Sequence, residues 1–277
     1  MNLNNIFLIA DADGTLLTDD KRILEKDKSA IRELTRSGGL FTIATGRGVS
    51  LARVVAENLK LKIPAVIFNG AAVYDFKQDK FLWQCALPKS VKEYIKLLME
   101  KFPTLAIEIL RDDEVYVTRT NAREEEHIAF GNTEPVRCGL DEIPEYGWIK
   151  ALLIDEPETI DEVILFSKKK RFKGVHMVRS APIFYEMLPS GINKGTGLKK
   201  LLEIMELHDK YTVAMGDFMN DIEMLRQADL GVAVENAEDV VKAVAKLIVC
   251  DNNSGAVYNV IEHLKAKSKT KQRKEKS

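Results

Sequence analysis

Two carboxylates one residue apart, Asp11 and Asp13, stand at the end of the short apolar run Phe7 to Ala10 in "FLIADADGTLL". Like charges this close repel, and an unpaired buried carboxylate loses hydration worth several kcal/mol. Such a pair persists where something neutralises it. Three further strand-like runs also end in polar residues. Leu40 to Ala44 leads into Thr45-Gly46-Arg47, Ala65 to Phe68 into Asn69-Gly70, and Tyr211 to Met215 into Gly216-Asp217, with Asn220-Asp221 following. Lys194, in "GINKGTGL", opens a helix-like segment. Several carboxylates without His or Cys suit a hard cation, and Mg²⁺ fits best. A lysine at a helix N-terminus, the Thr45 hydroxyl and the bare amides that Gly46 admits describe a pocket for phosphate. A carboxylate inside that pocket is a nucleophile candidate.

These residues converge only if the chain delivers them to one place. Strand, helix, strand, helix, strand through the first seventy residues or so implies an α/β fold, a parallel sheet with right-handed crossovers. Ala30, Ile31 and Leu34 mark one helical face before Gly38-Gly39, and Leu51, Val54 and Val55 mark another. The same alternation returns from Leu198 to Leu264. In open sheets of this kind ligands sit outside the carboxyl ends of the strands, so the four polar strand ends share one edge. Between the two halves the texture changes to hairpin-like strands mixed with helices, such as Ala106 to Leu110 and Val115 to Thr118 around Arg111-Asp112-Asp113-Glu114. This reads as an α+β module inserted into a split α/β domain. The expected units are residues 1–82 with 188–264 as the core, 83–187 as the insertion and 265–277 as a disordered basic tail.

"DADGTLL", "TIATGR", "NKGTGL" and "GDFMND", in that order, resemble motifs one to four of the haloacid dehalogenase (HAD) superfamily. "FNGA" and "CDNNSGAVYNVIEHL" are similar to the Cof-type subfamily of capped small-molecule phosphatases. The resemblance implies a Rossmann-like core and an α/β cap. It implies that Asp11 attacks phosphorus to form an aspartyl-phosphate, and that Asp13 protonates the leaving alcohol and then activates water. It further implies Mg²⁺ held by the Asp11 carboxylate, the Asp13 carbonyl and Asp217, with Asp221 orienting these ligands from behind. Thr45, Gly46, Lys194, Asn220 and the Ala12 amide would bind phosphate oxygens. Arg47 and Asn69 are candidate substrate contacts, although for Arg47 a structural ion pair is an equal reading. Two positions depart from the pattern. Ala12 replaces a larger apolar residue, where only the backbone is used. Phe218 follows Gly216-Asp217, where small or polar residues are usual; its ring narrows the pocket mouth or packs beneath the loop.

The remaining features mostly exclude. The 277 residues carry a net charge of −1, giving no bias towards nucleic acid or membrane. Three scattered cysteines contain no CxxC pair, which argues against a zinc site or a disulfide framework. No run reaches membrane-spanning length and the N-terminus has no signal-peptide pattern, so a cytoplasmic location is expected. His127, His176, His208 and His263 show no ligand spacing and read as surface or structural residues. The expected activity is a Mg²⁺-dependent phosphatase of small phosphorylated metabolites, sugar phosphates or similar, in a monomer or homodimer. A phosphoryl-transfer mutase on the same core and a non-catalytic phosphate-binding signalling module are the alternatives. Asp13 argues against a dehalogenase, because a phosphate ester's leaving group needs that second acid.

Overall fold

A computed structural model describes residues 2–131 and 134–274. The strand Ile6–Ala10 is buried on both faces at the inside of a parallel sheet. The sheet order is Leu247–Val249, Leu230–Val234, Tyr211–Gly216, Ile6–Ala10, Leu40–Ile43. The near-continuous apolar sequences of these strands follow from burial on both faces, as crossover helices require. Helix Glu25–Arg36 buries Ala30, Ile31 and Leu34. Helix Lys194–Ile204 starts at a capping box, in which Asn193 and Thr196 satisfy each other's backbone amides.

The third expected parallel strand, Ala65–Ile67, joins this sheet only through one parallel bridge between Ala44 and Val66. Its other edge pairs antiparallel with Ala72–Asp75, which pairs in turn with Lys80–Gln84. The change of direction follows from the turn between the first two. Phe68, Asn69 and Gly70 all adopt positive φ, at 52°, 53° and 99°, and reverse the chain without a crossover helix. Two non-glycine residues held there cost about 1–3 kcal/mol each, strain of the kind found at ligand sites.

A second sheet of six strands runs Val175–Ala181, Phe184–Pro189, Trp148–Ile154, Ala106–Arg111, Glu114–Arg119, Val136–Arg137. It is antiparallel except for its last pair. Side chains alternate across it. Ile107, Ile109, Ala151, Leu153, Tyr185 and Met187 pack with helix residues Val91, Ile95, Leu98, Ile160 and Val163. Their neighbours Ala106, Leu110, Leu152, Ile154 and Leu188 join the first sheet's apolar cluster instead. Glu108, Lys150 and Glu186 alternate with the helix-facing set in the same way, and all three line the cavity between the two sheets. This one-residue phase places three buried charges in that cavity.

The closing helix is Ala256–Lys274, so the described part of the tail from Lys265 onward is helical where disorder was expected. Packed residues from Ala256 to Leu264 nucleate the helix, and good helix formers extend it cheaply. Lys265 also pairs with Glu33 and Glu262, each at 2.7 Å. Residues 275–277 of that tail lie outside the described residues. No helix among the described residues is long and apolar enough to cross a membrane.

Candidate active site

Asp11 leaves the central strand with its amide donating to the Met215 carbonyl at 2.9 Å, which ties the two acidic strand ends together. Lys194 is 1% exposed, and its Nζ donates to Asp11 Oδ1 at 2.5 Å and to Asp221 Oδ1 at 2.6 Å. The other Asp221 oxygen accepts the amides of Asp217 at 3.0 Å and Phe218 at 3.1 Å. Asp217 Oδ1 accepts from Thr15 Oγ1 at 2.8 Å. Gly14, at φ 79°, makes room for this carboxylate: a Cβ there would lie 2.3 Å from Asp217 Oδ2. Oxygens of Asp11, Asp217 and Asp221 lie within 4.8 Å of one another.

One ammonium cannot balance three clustered carboxylates, of which Asp11 and Asp221 are buried. Burial pushes the Asp11 carboxyl well above its ordinary value; Lys194 pulls it back, and Asp221, Asp217 and Asp13 raise it again. Burial and the charge of Asp221 push Asp217 up to about 7, against the pull of Thr15 and Lys194. The cluster is short of positive charge and offers only oxygen donors, so it fits a hard divalent cation. Both Asp221 oxygens are already committed, which leaves Asp11 and Asp217 as the carboxylates with capacity for a metal.

Asp13 points elsewhere. Arg47 grips it with two bonds of 2.8 Å, and Lys21 adds a third at 2.9 Å. Burial alone would raise this carboxyl, but Arg47 and Lys21 outweigh it and hold it well below the usual carboxylate range. Arg47 therefore forms the ion pair that was one of its two expected roles, while also lining the cavity. Phe218 lines the same cavity.

The cavity, about 530 Å³, lies over Asp11, Asp13, Asp217, Thr45, Gly46 and Asn220. Of the expected phosphate ligands, Ala12 and Lys194 do not line it. Ala12 is buried, with its carbonyl accepting from the Leu16 and Leu17 amides, and Lys194 sits behind Asp11. Asn220 lines it with its Oδ1 unpartnered, while its Nδ2 donates to Asn69 Oδ1 at 2.9 Å. Asn69 is itself spent on a bridge, its Nδ2 donating to Glu186 Oε2 at 2.7 Å.

That bridge leads to Lys150, Glu186 and Glu108, which no sequence motif singled out, and to His127, expected as a surface or structural residue. Lys150 is buried, pairs with Glu186 at 3.1 Å and donates to the Gly46 carbonyl at 2.7 Å. Glu108 meets His127 Nδ1 at 2.9 Å on the cavity wall. A single Lys in "WIKALLI" and a single Glu in "AIEILR" were the available signals: a charge inside a strand buried on both faces needs a partner from elsewhere.

The model of the haloacid dehalogenase-like hydrolases matches residues 8–261. The chain belongs to that family. It is 30% identical over 264 residues to the 5-amino-6-(5-phospho-D-ribitylamino)uracil phosphatase YcsE of Bacillus subtilis, covering 94% of this chain and 96% of that one. Among solved structures, TM0651 from Thermotoga maritima superposes with a TM-score of 0.77 at 30% identity, over 93% of this chain and 96% of that one. A HAD/COF-like hydrolase from Plasmodium vivax reaches a TM-score of 0.82 at 25% identity, over 94% and 95% of the two chains. This HAD member is a phosphatase of small phosphorylated compounds, and the signalling-module alternative falls away.

Proposed function

We propose that the chain is a Mg²⁺-dependent phosphomonoesterase acting on a small hydroxylated metabolite through an aspartyl-phosphate on Asp11. The observation that carries this reading is the position of the Asp11 carboxylate. It is 5% exposed, at the floor of the cavity, beside Lys194 and the acids Asp217 and Asp221. When bound by Asp11, the Asp13 carbonyl and Asp217, Mg²⁺ would offset charge on the acids and on the phosphoryl group. Lys194 orients Asp11 and offsets part of the rise in its pKa. An Asp11 oxygen attacks phosphorus, the bond from phosphorus to the leaving oxygen breaks, and Asp13 supplies that oxygen with a proton. Water then attacks the aspartyl-phosphate, Asp13 takes its proton, and inorganic phosphate leaves.

Asp13 suits both halves only if its surroundings change. While Arg47 and Lys21 hold it, it is a carboxylate ready to act as a base. A looser hold by those cations as Asp13 meets the leaving oxygen lifts its pKa, as an acid requires. The second sheet forms the roof over this site, and we take it to act as a cap whose side chains meet the leaving group. The YcsE name supports a phosphorylated polyol or similar metabolite as the substrate class.

Two substitutions separate the roles and test the reading. Asp217→Asn should weaken Mg²⁺ binding by about tenfold or more, because it neutralises a ligand. Asp13→Asn should slow phosphate release by about 10²- to 10⁴-fold, the range for general acid–base groups, with Mg²⁺ affinity largely kept, since the ligand there is a carbonyl. Mg²⁺ titrations read by calorimetry and phosphate-release rates check both. The reverse order of effects would remove this assignment.

A further inference from the structure

Glu108 is 1% exposed, yet the structure leaves it half used. One of its oxygens meets His127 Nδ1 at 2.9 Å; the other has no hydrogen-bond partner among the described residues. With no donor on that oxygen and the residue lining the cavity, Glu108 is placed to accept from a donor on a bound ligand. The same cavity that holds Asp11 is lined by both Glu108 and His127. The His127 ring rests edge-on against Phe184, with centroids 5.0 Å apart, so the imidazole is fixed in place. Leu110, Leu152 and Ile183 form apolar walls around the pair.

The charge of this roof narrows the ligand further. Its residues bring six carboxylates to the cavity against two cations, Arg123 and Lys150. Neither cation is free. Arg123 pairs with Glu126 and Glu156, and Lys150 is held between Glu186 and the Gly46 carbonyl. The core side of the cavity adds Lys21 and Arg47, both engaged by Asp13. At the roof, a second phosphate or a carboxylate on the leaving group would therefore meet net negative charge. At about 530 Å³ the cavity falls within the range of ~300–1,000 Å³ that encloses a drug-sized molecule, so a leaving group larger than a simple triose has room.

We propose that Glu108 and His127 form the recognition subsite for the leaving alcohol. It selects a neutral leaving group rich in O–H or N–H donors, of the polyol or amino-polyol class, and rejects one that carries a second anion. This rests on the phosphatase reading above. Glu108 receives a donor of the leaving group, and His127 holds Glu108 in place and offers its other ring nitrogen to a neighbouring hydroxyl.

The test measures phosphate release with Mg²⁺ from ribitol 5-phosphate, fructose 1,6-bisphosphate and p-nitrophenyl phosphate. The wild-type kcat/KM should be higher for ribitol 5-phosphate than for the bisphosphate. In Glu108→Ala the ratio of kcat/KM for ribitol 5-phosphate to that for p-nitrophenyl phosphate should fall by about ten- to a hundredfold, the scale of a hydrogen bond to a charged group, mostly through KM. His127→Gln should move the ratio the same way by a smaller factor, and it serves if Glu108→Ala does not fold. An unchanged ratio, equal losses on both substrates, or a wild-type preference for the bisphosphate would overturn the subsite. A wild type that releases nothing from p-nitrophenyl phosphate would instead overturn the phosphatase reading. The subsite is then judged by whether ribitol 5-phosphate raises the melting temperature of wild type and not of Glu108→Ala.

Discussion

Replacing Asp11 with asparagine is expected to abolish turnover while the protein stays folded, with phosphate release falling by roughly 10⁴- to 10⁶-fold, the scale of removing a covalent nucleophile. The amide nitrogen cannot form the acyl-phosphate, and the amide oxygen is a poorer ligand for a hard cation than a carboxylate. The same substitution should leave metal-free melting unchanged or raise it. Burial and three neighbouring carboxylates push the Asp11 pKa up more than Lys194 pulls it down, so the charged form is disfavoured in the folded state. A group with a raised folded pKa lends full stability below its unfolded value and loses it as pH rises through the folded value. Near neutral pH the wild type therefore bears a cost that asparagine removes, a trade of stability for function. Calorimetric melting and a phosphate-release assay on one preparation measure both effects. If folded Asp11→Asn kept a tenth of wild-type turnover, Asp11 would not be the nucleophile.

What the sequence disclosed, and what it hid, divides along the range of the interactions involved. Asp11, Thr45 and Asp217 were legible because each follows an apolar run, and in a parallel sheet every such run ends at one edge. Chain order alone therefore predicts their convergence. Lys150, Glu186, Glu108 and His127 were not legible, although each is local in appearance. Their pairings depend on which strands lie side by side: Leu152 stands opposite both Glu108 and Glu186 in the register of the second sheet. No local pattern encodes that register. His127 was hidden further by its helix, Ala122–Gly131, whose run of glutamates reads as a solvated segment. Asn69 shows an intermediate case. Its place at a strand end was clear, but its turn to positive φ and its reach to Glu186 across 117 positions of sequence were not.

Lys194→Met should be the most damaging substitution for stability. The ammonium is buried between Asp11 and Asp221 at 2.5 Å and 2.6 Å, and it is the cation that both carboxylates contact directly. Burial alone would lower its pKa, but Asp11 and Asp221 outweigh burial and hold it above the ordinary lysine value. For a lysine with a raised folded pKa the contribution is fully present below the unfolded value and lost only as pH climbs through the folded one. At neutral pH the whole contribution is in force. Removing one partner of a buried ion pair costs about 3–5 kcal/mol, because the remaining charges stay desolvated and unpaired. In a chain of this size that corresponds to a drop in melting temperature of roughly 6–20 °C. Activity should vanish with it, since Asp11 would then lie among like charges and bind a proton. Two controls give the prediction its shape. Lys194→Arg keeps the charge but must fit a planar, larger group into a fully buried site, so it should also lose activity. Added Mg²⁺ should recover part of the lost melting temperature in Lys194→Met, because a second cation in the cluster offsets the same unpaired acids. A Lys194→Met protein that melted like wild type would show that the acids are balanced by something other than this lysine, and the electrostatic account of the site would have to be rebuilt around that group.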